Sequence, residues 1–137
     1  MINPYPLAMV VCDAIWTDPV TGKRTLLGCF LRILSRNFPT SRRVMAVYIA
    51  LTGGRGTVPM RMQLVDAAET RPPIAQADLE DEFYDPLSVV EMELHLSGME
   101  FPEPGEYALQ LYAGNELLVE RRIRVERTPG GPIDEQP

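Results

Sequence analysis

Short runs of alternating apolar and polar residues, cut at near-regular intervals by glycine and proline clusters, leave this chain few choices other than packed β-sheets. Val58, Met60, Met62 and Leu64 alternate with Pro59, Arg61 and Gln63, and Val90, Met92, Leu94 and Leu96 alternate with Glu91, Glu93 and His95. Successive side chains of a strand point to opposite faces, so each run offers one face to a core and one to water. Alternation and turn residues together predict strands over 6–17, 25–36, 44–52, 57–66, 74–83, 88–98, 106–113 and 117–127. The run 74–83 also admits a short helix, but its period of two favours an edge strand. With 137 residues, 45% of them hydrophobic, the chain can bury a two-layer core without disulfides or a metal.

The stretch Phe101-Pro102-Glu103-Pro104-Gly105-Glu106-Tyr107 sharpens this reading. Prolines stiffen its entry, Gly105 can take a positive φ, and Tyr107 opens the alternating run to Tyr112, as in the tyrosine corner of immunoglobulin-like domains. The expected fold class is all-β: an antiparallel immunoglobulin-like β-sandwich of about eight strands over residues 1–127, with a disordered tail at 128–137. In the last hairpin, a three-residue loop at Gly114-Asn115-Glu116 pairs Leu111 with Val119 and Tyr107 with Ile123, keeping the apolar face intact. That register places Arg121 on the inner face, so either a bulge follows or its side chain snorkels to the sandwich edge.

Near the N-terminus, the turn Asp18-Pro19-Val20-Thr21-Gly22-Lys23 folds two apolar runs together and sets Asp18 opposite Lys23 and Cys12 opposite Cys29. The apolar stretch 7–12 lacks preceding basic residues and is interrupted by Asp13, which argues for a strand rather than an export signal. No run reaches the roughly 18 apolar residues of a membrane span, and the expected location is the cytoplasm, with both thiols reduced. A net charge of -6 disfavours nucleic acid and anionic lipid as partners.

The first three strands are apolar on both parities, too much so for a sheet with one bare face. Chain segments such as 35–43 and 67–73 could cover them, or another protein could. The residues expected at such an interface are Met9, Val11, Ile15, Ala46, Tyr48 and Ala50.

Chemistry is sparse. His95, the single histidine, shares an outward row with Glu91 and Glu93, but such neighbours stand about 7 Å apart, wide for one ion or a proton relay. Asp78, Glu80, Asp81, Glu82 and Asp85 suggest a calcium-like site in 78–85, yet their spacing matches no EF-hand, and a charged edge against aggregation is the simpler reading. Gly53-Gly54-Arg55-Gly56 lacks the GK[ST] of a phosphate loop. Arg121, Arg122 and Arg124 alternate with glutamates and carry no aromatic row for stacking bases; cross-strand pairing with Glu91 or Glu93 is expected instead. No catalytic, cofactor or metal residues are named, and the chain reads as a protein that is not an enzyme.

Asn3-Pro4-Tyr5-Pro6-Leu7-Ala8, Val11-Cys12-Asp13-Ala14, the run 21–30, Asn37-Phe38-Pro39, Val47-Tyr48, Leu51-Thr52 and the run 101–107 resemble a family of small uncharacterised bacterial proteins, a domain of unknown function. The resemblance reaches about Val125; it implies a stand-alone sandwich domain and carries over no catalytic residues. The function expected is that of a non-catalytic interaction module that self-associates or binds a protein partner, with a small-ligand or metal module at 78–85 as the alternative.

Overall fold

The alternating segments form nine strands: β1 (Tyr5–Thr17), β2 (Arg24–Cys29), β3 (Arg32–Ser35), β4 (Thr40–Thr52), β5 (Gly56–Asp66), β6 (Ala75–Phe83), β7 (Val89–Phe101), β8 (Gly105–Ala113) and β9 (Glu116–Arg127). The structure is a computed structural model that describes residues 1–129, the side chain of Arg43 excepted, and these residues contain no helix. A four-stranded sheet runs β2-β1-β4-β7, and a five-stranded sheet runs β3-β9-β8-β5-β6. Of the tail expected at 128–137, Thr128 still donates its N–H to the Ser35 carbonyl (2.9 Å), and 130–137 lie outside the described residues.

The core is built from the inward parities. Met9 and Val11 of β1 and Met45, Val47, Ile49 and Leu51 of β4 share one buried cluster with Val58, Met60, Met62 and Leu64 of β5 and with Leu109, Leu111, Ile123 and Val125. Burying each such side chain is worth about 1.5–3 kcal/mol, and their continuity holds the two sheets face to face. Tyr107 closes one end: its hydroxyl donates to the Glu103 carbonyl (2.5 Å), and its ring meets Phe101 edge-on with centroids 5.1 Å apart. That tyrosine corner and the two-sheet order make the fold an immunoglobulin-like sandwich.

Two expectations change. The strand expected over 25–36 is two strands in opposite sheets, because the chain leaves the first sheet after Cys29 and crosses to pair β3 with β9 in parallel (Ile33↔Val125). The sandwich is therefore not wholly antiparallel. The last hairpin has the expected pairings Leu111↔Val119 and Tyr107↔Ile123, but through a two-residue Gly114-Asn115 turn and a bulge between Leu111 and Tyr112. The extra residue is absorbed in the ladder instead of the loop.

β1 is shared by two partners. Residues from Tyr5 to Cys12 pair with β4 and those from Cys12 to Thr17 pair with β2, so Cys12 alone has a ladder partner on each side (Ala46 and Cys29). Beyond it the β1–β2 hairpin folds back. Arg24, paired with Thr17, reaches Glu91 (3.2 Å) and Glu93 (3.8 Å) of β7, whereas Glu91 stands opposite Ala50 and Ala50 opposite Ala8. In a straight sheet Ala8 and Thr17 would lie about 30 Å apart along the strand. The ion pairs require the hairpin to turn back across the outer face of β4 and β7. Ala46 and Ala50 on that face are 0% and 5% exposed.

Gly28 makes the bend possible. Its φ is +68°, and a Cβ there would lie 2.2 Å from the Asp13 carboxylate. Gly22 in the hairpin turn has a similar φ of +74° but open space around it. Gly22→Ala should cost about 1–2 kcal/mol from backbone strain alone, and Gly28→Ala should cost more because Asp13 must also move. Chemical denaturation of the two variants checks this; equal losses would mean the Asp13 contact contributes nothing.

Candidate functional site

Because β2 takes over only at Cys12, the stretch of β1 before it keeps one edge free. The Met9 carbonyl accepts from Arg121 Nε (3.0 Å) and the Val11 carbonyl from Phe30 N–H (3.1 Å), so the backbone groups of these odd-numbered residues face away from β4. Beside this edge lies a groove of about 640 Å³, floored by residues 7–11, closed at one end by Cys29, Phe30 and Leu31, and bordered across the sandwich by Arg121. Its walls are apolar, with Leu7 54% and Leu31 66% exposed.

The end wall is fixed from behind. Arg42 stacks over the Phe30 ring (4.2 Å to the centroid) and pairs with Asp13 at the hairpin bend. Burial pushes the Arg42 guanidinium below its usual pKa, and the Asp13 carboxylate opposes that shift. Arg121 is held differently: it spans from β9 to β1 and donates to the Met9 carbonyl and, through Nη1, to the Glu120 carbonyl (3.0 Å). Of the two outcomes expected for this residue the second occurs: the ladder stays in register from Val119 through Arg121 to Val125, and the side chain reaches the sandwich edge.

The six residues expected at an interface do not share one face. Met9 and Val11 point into the core, their backbones flooring the groove; Ala46 and Ala50 are buried on the outer face of β4. Tyr48, half-buried beside them, donates a short hydrogen bond to Glu91, which raises its phenol pKa. Ile15 is half-buried on the hairpin. The cover expected from 35–43 or 67–73 comes instead from the chain's own hairpin. The groove escaped the sequence reading because it depends on where pairing stops, although Arg121 on an inward parity was a signal.

The other candidates stay apart. Glu91 and Glu93 pair with Arg24 rather than with Arg122 and Arg124 of β9, which find Glu106, Glu120 and Glu126. Asp78, Glu80 and Glu82 project along the exposed face of β6, while Asp81 bonds the Glu82 N–H and Asp85 the Leu87 N–H. Among the described residues, no three His, Cys, Asp or Glu side chains come together to hold one metal ion. Among the described residues there is no helix long and apolar enough to cross a membrane.

A family model of unknown function, DUF6941, matches residues 7–126. The chain belongs to this DUF6941 family. No curated protein matches it. Among solved structures, this DUF6941 chain is similar to a Beta-D-glucoside glucohydrolase from Trichoderma reesei (10% identity, TM-score 0.49, covering 91% of this chain and 19% of that one). It is also similar to an immunoglobulin-like protein from Pseudomonas aeruginosa (12% identity, TM-score 0.45, covering 90% of this chain and 97% of that one). The expectation that the chain is not an enzyme is withdrawn, since a fold shared at this level decides neither for nor against an activity. The first likeness transfers no activity to this DUF6941 domain.

At the groove's end, Cys12 and Cys29 are ladder partners and both free, Cys12 buried and Cys29 exposed. Burial, and secondarily Cys29, raises the Cys12 thiol pKa. One thiol should therefore react rapidly with dithionitrobenzoate and the other about a hundredfold more slowly until denaturant is added. Cys29→Ser should remove the fast phase; two fast thiols would contradict this geometry.

Proposed function

We propose that this domain is a protein-interaction module that accepts an extended segment of a partner chain along the free edge of β1. The observation that carries the reading is the stretch of β1 that is paired on one side only, beside an apolar groove. An added strand would gain main-chain hydrogen bonds from the edge and bury its alternate side chains against the groove walls. The groove volume of about 640 Å³ suits a short segment of side chains.

Two of the sheet-edge strands are less inviting. β6 carries Asp78, Glu80 and Glu82 on its exposed face, and β7 carries Glu91, Glu93 and His95. Charges on edge strands discourage further pairing. A single incoming strand suits the groove better than the β1 edge of a second copy, which is flanked by its own Arg121 and residues 29–31.

An uncharged eight-residue peptide of alternating valine and threonine, titrated into isotope-labelled protein, should shift the amide signals of residues 7–11 and 29–31. Leu7→Lys should weaken that binding at least about fivefold while leaving the melting temperature unchanged, since Leu7 is exposed. No shifts, or shifts confined to other strands, would overturn the reading. Shifts of the same amides on raising protein concentration alone would assign the edge to a second copy.

A further inference from the structure

Among the described residues, Arg121 is the one charged side chain bordering the groove. Among the described residues no carboxylate pairs with it, whereas Arg24, Arg32, Arg71, Arg122 and Arg124 each have one. Its guanidinium donates only to two backbone carbonyls, those of Met9 and Glu120, leaving donors of the planar fork unused. The Met9 carbonyl it holds lies on the very edge that an incoming strand would pair with.

We infer that the strand accepted by this groove carries a carboxylate, and that Arg121 is the residue that reads it. The inference rests on the edge-binding reading above. In the free domain Arg121 satisfies the Met9 carbonyl. When a strand adds, a backbone N–H of that strand takes over the carbonyl, and Arg121 turns its fork to a carboxylate at the groove mouth. Neither the carbonyl nor the guanidinium is left without a partner once the added strand covers the edge. A carboxylate is the matching group because the fork pairs with it bidentately, and the surrounding walls are apolar, so the charge pairing is little shared with other residues. The partner segment is thus apolar on alternate positions and carries an aspartate, a glutamate or a chain-terminal carboxylate near Arg121.

The test uses two sets of fluorescein-labelled, eight-residue valine–threonine peptides with amidated C-termini, one with glutamate at each position in turn and one with glutamine. At one position glutamate should bind the wild-type protein about tenfold more tightly than glutamine, the worth of a charge-assisted pair. Arg121→Gln should remove that preference, so that the glutamate and glutamine peptides bind it equally, and Arg121→Lys should restore part of it; circular dichroism melts establish that both variants fold. The preference should shrink in 0.5 M salt, as a pairing at an exposed groove mouth does. Equal affinity of the two sets for the wild type overturns the carboxylate inference and leaves edge binding standing. Absence of binding by every peptide overturns both.

Discussion

Backbone hydrogen bonding along β1 changes hands at Cys12, and the accessible surface of the sandwich follows from that handover. Before Cys12 the strand is tied to β4; after it, to β2. A strand paired on both sides throughout would hold the β1–β2 hairpin in the plane of the sheet and leave no free edge. Because the pairing is staggered, the hairpin can fold back, Arg24 can reach Glu91 and Glu93, and the small Ala46 and Ala50 can be buried on what would otherwise be an outer face. The stagger leaves residues 7–11 open toward the groove.

The same stagger distributes polarity. Acidic side chains line β6 and β7, the far edges of the two sheets, while the open part of β1 is bordered by Leu7, Leu31 and one arginine. Edge strands without charges or proline are templates for pairing, and natural domains usually guard them. Here β6 and β7 are guarded by charge and the open part of β1 is not. Arg121 partly occupies the unguarded edge by bonding Met9, and Phe30, stacked on Arg42, walls its end. Selective protection of this kind gives the protein-interaction reading its weight.

Much of the fold was legible because it is local. Parity alone identified the inward residues of β5 and β7, the turn at 18–23 set Cys12 against Cys29, and the run from Phe101 to Tyr107 announced the tyrosine corner. What the sequence hid is non-local. Gly28 reads as one small residue in an apolar run, yet its positive φ and the adjacent Asp13 carboxylate mark where the hairpin leaves the sheet and one strand becomes two. The excess hydrophobicity of the first strands was a true signal whose cause was misassigned: Met9 and Val11 serve the core, while Ala46 and Ala50 lie under the hairpin. The groove could not be read from periodicity, since it is defined by the absence of a neighbour along half a strand.

Residue-resolved amide hydrogen exchange on the free protein tests the handover most directly. Val10 is paired with Tyr48 on β4, whereas the Met9 backbone faces the groove. The amide of Val10 should be among the slowly exchanging core, and that of Met9 should exchange far faster, with the protected side of β1 switching from the one facing β4 to the one facing β2 beyond Cys12. Uniform protection of Met9 and Val10 would contradict the open edge, because it would mean that the Met9 N–H already has a partner.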